Sequence, residues 1–279
     1  MSEMKSRTAY RVLGCTLALV LALQLPARGA GEPAAPLTRV GPPQGRLLIV
    51  GGGNLPRQWA RFIELAGGRD APLVVIPTAS ANVADPDPAV RALRASGAQH
   101  VTQLHTYNRD IADSEEFTAP LRAARGVWIT GGRQWRLADA YLGTRTLREI
   151  HALLARGGVV GGTSAGASIQ ASYLVRGATA GNWIVMAPGH EEGFALLRGT
   201  AIDQHANTRG RTEDIRPVLK KHPELLGIVL DEATAIVVTG DSCEVVGVGK
   251  ARFIASPDAD PVELSAGAHY DLAARQQLP

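Results

Sequence analysis

Cysteine is nearly absent: there are two in 279 residues, and one of them, Cys15, lies inside an N-terminal apolar run. If that run is removed as a leader, Cys243 is the sole thiol and no intrachain disulfide can form, even in an oxidising compartment. Aromatic residues are also sparse, at 5% of the chain, so the core must be built from small aliphatics. Hydrophobic residues as a whole reach 45%, which excludes intrinsic disorder, collagen and coiled coil. Surplus charge is lacking where it would matter. The formal charge is +3, but residues 1–29 hold four basic side chains (Lys5, Arg7, Arg11, Arg28) against one acidic (Glu3), leaving 25 of each sign elsewhere. A folded part without a basic excess has no electrostatic footprint for nucleic acid.

What is present begins with the leader. Residues 1–11 are basic, and residues 12–25 are apolar apart from Gly14, Thr16 and Gln24. Pro26-Ala27-Arg28-Gly29 then supplies small residues. That order describes a secretory signal peptide over residues 1–29, and the apolar run is short for a membrane span. The mature protein is therefore expected to be secreted or periplasmic, with no membrane attachment after cleavage. Residues 30–45, with Pro33, Pro36, Pro42 and Pro43, read as a flexible linker, and residues 46–279 as a single catalytic α/β domain.

From Arg46 onward, short β-branched runs alternate with helical patterns. Leu47-Leu48-Ile49-Val50 ends in three glycines, Leu73-Val74-Val75-Ile76 in Pro77-Thr78, Val127-Trp128-Ile129-Thr130 in Gly131-Gly132, and Val159-Val160 in Gly161-Gly162-Thr163-Ser164. Continuous apolar strands separated by helices predict a mostly parallel sheet covered on both faces. After Asp231, closely spaced runs at 234–238, 244–248 and 251–254 predict antiparallel hairpins extending that sheet. Ligands gather beyond the carboxyl ends of such strands, where Gly, Ser, Thr and Asn cluster here.

Gly162-Thr163-Ser164-Ala165-Gly166 fits G-x-S-x-G between a strand and a helix. A serine on that turn projects from a strained backbone that only small neighbours permit, and the next backbone N–H, on Ala165, faces the developing oxyanion. A serine hydroxyl needs a base, and the base an orienting acceptor. Of the seven histidines, His205 stands out because it ends the run Thr200-Ala201-Ile202-Asp203-Gln204; His105 also ends a strand run, and His190 lies in a Pro-Gly loop. Asp231 and Glu232 follow Gly227-Ile228-Val229-Leu230. Period-two alternation sends their side chains to opposite faces, and local pattern does not choose between them.

These motifs, with Thr130-Gly131-Gly132-Arg133-Gln134, Asp203-Gln204-His205, Arg209-x-Arg211 and the stretch from His222-Pro223 to Thr234-Ala235, resemble the cyanophycinases, serine peptidases related to peptidase E. The resemblance implies a class I glutamine amidotransferase-like (flavodoxin-like) fold and a Ser164–His205–Glu232 relay. It also implies an oxyanion site from Ala165 and the Gly131-Gly132 loop, and substrate contacts from Gln134, Asp203, Gln204, Arg209 and Arg211. Arg209 and Arg211 suit bidentate grip of carboxylates, while Asp203 and Gln204 offer acceptors for a guanidinium or support for His205. Family members hydrolyse cyanophycin, a polyaspartate bearing arginine on each β-carboxyl, to β-aspartyl-arginine dipeptides, without metal or organic cofactor. The expected partner is accordingly a peptide or polymer substrate, and a homodimer is compatible with the resemblance. Two positions depart from the pattern: Asp214 stands where many members carry a further arginine, and Ala206 where an aromatic often follows the histidine. Peptide hydrolysis is still expected; another β-linked or acidic peptide becomes an alternative substrate.

Two rival readings make different demands. An esterase or lipase of the α/β-hydrolase type shares G-x-S-x-G but runs in the order Ser, acid, His. A silent binding module with an amidotransferase-like fold predicts no adduct with a serine-directed probe.

Overall fold

Alternate residues of each central strand go to different cores, as continuous apolar runs require. Leu47, Ile49, Val74, Ile76, Val127, Ile129 and Val160 pack into one cluster. Leu48, Val50, Leu73, Val75, Trp128 and Val159 pack into another on the opposite face. The computed structural model describes residues 39–54 and 56–279; the expected signal peptide lies outside the described residues. The chain runs β1 (Arg46–Val50), α1 (Gln58–Leu65), β2 (Leu73–Ile76), α2 (Pro88–Ala95), β3 (Val101–Gln103), α3 (Arg109–Ala112), α4 (Glu115–Ala123), β4 (Gly126–Ile129), α5 (Gln134–Tyr141), α6 (Arg145–Ala155), β5 (Val159–Thr163) and α7 (Ala165–Ser168). It continues through β6 (Ala171–Tyr173), β7 (Leu197–Gln204), α8 (Ala206–Arg209), α9 (Arg216–Lys221), β8 (Leu226–Leu230), β9 (Thr234–Thr239), β10 (Ser242–Gly247), β11 (Ala251–Ile254), β12 (Val262–Leu264), β13 (His269–Asp271) and β14 (Gln276–Gln277).

The fold is α/β with a mostly parallel centre and antiparallel C-terminal strands. A nine-stranded sheet has the order β14-β13-β10-β9-β1-β5-β4-β2-β3, with β1, β5, β4, β2 and β3 parallel and β9 antiparallel to β1. The remaining strands form a second sheet, β12-β11-β8-β7-β6, in which β6, β7 and β8 are parallel. The sequence pattern brings the His205 run, the 227–230 run and the 251–254 run to one sheet; they belong to the second. Ile202, Leu226, Ile228, Leu230 and Phe253 still join the core of the first, while Val229, Ile215, Val218 and Leu219 build a separate cluster beneath α9. The sheets are stitched where β1 and β7 end, the His205 N–H donating to the Gly51 carbonyl at 2.8 Å.

The expected flexible linker is partly docked. Asp241 Oδ1 accepts the backbone N–H groups of Val40 and Gly41 at 2.7 and 3.0 Å, and Val40 is buried. Prolines in that stretch suggest a tether, but a carboxylate some 200 positions away captures its backbone. No helix among the described residues is long and apolar enough to cross a membrane, and no group of three or more His, Cys, Asp or Glu side chains there is placed to hold a metal ion.

Candidate active site

Three strand ends converge. Ser164 leaves β5 with φ 55° and ψ −112°, a region L-residues rarely occupy, and so is held off both the strand and the helix. The turn tolerates no side chain at Gly166, where a Cβ would stand 2.1 Å from the Ile129 carbonyl oxygen. His205 leaves β7 in the left-handed region at φ 59° and turns its ring back over the end of β1. Gly52 makes room: it has φ 111°, and a Cβ there would lie 2.3 Å from His205 Cε1. Glu232 follows β8, its backbone N–H donating to Asn207 Oδ1 at 2.9 Å and the next N–H, on Ala233, to the Gly52 carbonyl at 2.8 Å.

Ser164 Oγ lies 2.8 Å from His205 Nε2, and His205 Nδ1 lies 2.5 Å from Glu232 Oε1. With the proton on Nδ1 shared toward the carboxylate, Nε2 offers its lone pair to the hydroxyl, the tautomer a general base requires. Burial pulls the imidazole below its usual pKa; the Glu232 bond opposes this, and the Arg209 and Arg211 charges reinforce it. Glu232 is in turn held below the usual carboxylate range, mainly by its bond to His205. Near neutral pH the site therefore has a neutral imidazole beside an ionised carboxylate, an arrangement able to accept the proton of an attacking alcohol.

The structure separates the two carboxylates. Asp231 is buried and faces away, its Oδ2 accepting the Lys250 N–H at 2.9 Å and its Oδ1 the Arg252 guanidinium at 2.7 Å. The other histidines lie elsewhere: His105 faces Thr78, His151 reaches the Phe194 carbonyl, and His190 pairs with Asp139 at 2.9 Å.

Gly131 abuts the nucleophile turn, a Cβ there falling 3.2 Å from Ser164 Cβ. Among the described residues, the N–H groups of Gly131, Gly132 and Ala165 have no acceptor, so they can serve a developing oxyanion. Gln134 opens α5 just beyond this loop, and Gln204 precedes His205; both are buried, and Gln134 Nε2 and Gln204 Oε1 have no protein partner. Buried polar groups in folded proteins are nearly always satisfied, but both atoms are closed to solvent, so a polar ligand reaches them only if the side chains turn outward. Arg209 is exposed. Arg211 is buried, touches only the Gln204 carbonyl at 3.5 Å and forms no ion pair among the described residues. Burial and the Arg176 and Arg209 charges disfavour the cation, while Asp203 and Asp214 act on it only at a distance, so an incoming carboxylate would add a direct partner.

Asp203 requires a correction. It is fully buried, and both its oxygens are taken by Arg176, Nε to Oδ1 at 2.8 Å and Nη2 to Oδ2 at 2.7 Å. Its Oδ1 also accepts the Gln204 N–H. It therefore anchors the strand that delivers His205 and, with no exposed surface, is closed to a substrate guanidinium. Sequence reasoning missed Arg176; its one local signal is an arginine ending the apolar run Leu174-Val175.

The model of peptidase family S51 matches residues 47–246. The chain belongs to peptidase family S51. It is 31% identical over 237 residues to the cyanophycinase of Trichormus variabilis, covering 78% of this chain and 74% of that one. It is 30% identical over 202 residues to that of Geminocystis herdmanii, covering 70% and 73%. In fold it is similar to a peptidase from an acI-B1 actinobacterium, with TM-score 0.63 and 24% identity over 83% of this chain and 98% of that chain. A peptidase E-like protein of Listeria monocytogenes gives 0.56 at 20% identity, over 74% and 100%. This S51 protein is a serine-type peptidase, which sets aside both the esterase and the silent module.

Proposed function

We propose that Ser164 attacks a peptide carbonyl while His205 takes its proton, Glu232 orients and stabilises the imidazolium, and the N–H groups of Ala165 and the Gly131-Gly132 loop hold the oxyanion. The imidazolium then gives that proton to the leaving amine as the C–N bond breaks, and the resulting acyl-enzyme is hydrolysed by water activated by the same imidazole, freeing the carboxylate product and Ser164. The observation that carries this reading is the unbroken contact from Ser164 Oγ through His205 to Glu232. The proposed substrate is cyanophycin or a related β-linked aspartyl peptide, released as β-Asp-Arg-type dipeptides. Cyanophycinase relatives at about one-third identity support that substrate class, and Arg209 with the unpaired Arg211 would grip its carboxylates. Export to the periplasm or beyond is part of the proposal, supported by the order of basic, apolar and small residues in the first 29 positions.

The test is incubation of the purified protein with insoluble cyanophycin and with β-aspartyl peptides, followed by mass spectrometry. Dipeptides are expected from the wild type. Ser164→Ala should lower turnover by about four orders of magnitude or more while leaving Tm nearly unchanged and abolishing labelling by a fluorophosphonate. Retained activity in that variant would remove Ser164 as nucleophile, and release of larger fragments would exclude dipeptide-by-dipeptide cleavage.

A further inference from the structure

Arg176 is a junction of three segments. Its Nη2 is shared by Asp203 Oδ2 and Asp214 Oδ2, at 2.7 and 2.6 Å, and its Nη1 donates to the Asn182 carbonyl at 2.8 Å. The two carboxylates differ in what they have left. Asp203 is sealed in. Asp214 is 41% exposed at its side chain, and its Oδ1 has no partner among the described residues. Asp214 lies on the turn that follows Arg211, its N–H toward the Arg211 carbonyl at 3.4 Å. On the other side of the junction, the residue after Asn182 is Trp183, 70% exposed on the loop between β6 and β7.

The same neighbourhood therefore offers opposite charges to a ligand. Arg209 and Arg211 form no direct ion pair among the described residues, Asp214 keeps one oxygen free beside its bond to Arg176, and the exposed Trp183 follows the Asn182 carbonyl that the same guanidinium holds. A guanidinium is bound well by a carboxylate on its edge and an aromatic ring on its face. We propose that Asp214, with Trp183, is the specificity-determining acceptor for a cationic side chain of the substrate, a guanidinium in particular, in place of Asp203, which Arg176 has sequestered. This rests on the peptidase reading above and adds to it the charge of the group recognised: the substrate unit is zwitterionic, its carboxylate toward the arginines and its cation toward Asp214.

The test uses matched peptides carrying arginine or its neutral isostere citrulline, each made with β-linked and with α-linked aspartate. The readout is the arginine-to-citrulline ratio of kcat/KM, and the same ratio of Kd on Ser164→Ala by calorimetry. The wild type is expected to favour arginine by about tenfold, the worth of one charge-assisted hydrogen bond, through KM. Asp214→Asn should bring the ratio close to one, Asp214→Glu should restore the preference, and Trp183→Ala should reduce it in part. An unchanged ratio in Asp214→Asn, or an equal loss on both peptides, would overturn the proposal, as would a wild type indifferent to charge. The linkage arms separate the two ideas: cleavage of α-linked peptides alone removes the β-aspartyl substrate, while the charge ratio still judges Asp214.

Discussion

His205 is the most constrained residue of the site. Its ring is enclosed by Gly52, Ser164 and Glu232, and burial is the chief reason its pKa lies below the ordinary imidazole value. The base must be neutral to act, so the acid limb of kcat/KM should fall below about pH 6.5, the unperturbed value. Arg209 contributes to that lowering through its charge. Its removal favours the protonated ring, so Arg209→Ala should move the limb to higher pH, and salt should move the wild type the same way by screening an exposed charge. The same variant should raise KM for a carboxylate-bearing peptide about tenfold, one charge-assisted contact. pH–rate profiles at low and high salt decide it; a wild-type limb above the ordinary value would contradict the burial of the base. At this scale Ser164 and His205 are legible because each ends an apolar run in small or polar residues. Asp231 and Glu232 are not separable locally, since the partners that claim Asp231 are 19 and 21 positions away. Arg176 is invisible for the same reason, its carboxylates lying 27 and 38 positions on.

Among the elements, the loop after β1 does more than its composition suggests. The second of its three glycines, Gly52, is the surface on which the imidazole lies, and its carbonyl accepts the Ala233 N–H beneath Glu232. Gly52→Ala would place a methyl group within van der Waals overlap of the ring and force a positive φ on an L-residue. It should destabilise by about 1–2 kcal/mol from backbone strain and lower kcat by about a hundredfold through displacement of the base by roughly 1 Å. Thermal melts and single-turnover rates would show both; a variant with full kcat would mean the ring does not depend on that surface. The first sheet is legible because its central parallel strands, β1, β2, β4 and β5, carry apolar residues to both faces. The division into two sheets is not. The runs at 200–204, 227–230 and 251–254 carry the same apolar pattern whichever sheet they join, and the choice is made by long-range pairing of β7 with β8 and of β8 with β11.

At the scale of the molecule, Val40 and Gly41, ahead of β1, are held by the Asp241 carboxylate and by the Arg198 N–H, which donates to the Val40 carbonyl at 2.8 Å. Asp241→Ala leaves the Val40 and Gly41 N–H groups without their acceptor, at a cost of about 1–3 kcal/mol. Tm should drop by roughly 2–4 °C for each kcal/mol in a domain of this size, and limited proteolysis should newly cut within residues 39–45 while the rest resists. Unchanged cutting would mean that the packing of Val40 and its carbonyl's bond to the Arg198 N–H suffice. Composition reveals the class of this molecule and its sparing use of aromatics, but not this clasp, because prolines look alike in a docked segment and a loose one. The seam between the sheets matters most for the reaction: the alcohol rides on one sheet, while the imidazole comes from the other and the carboxyl from the crossing between them. A chain that had completed only its larger sheet would carry an inert hydroxyl, so the power to cut belongs to the joined pair of sheets and to neither alone.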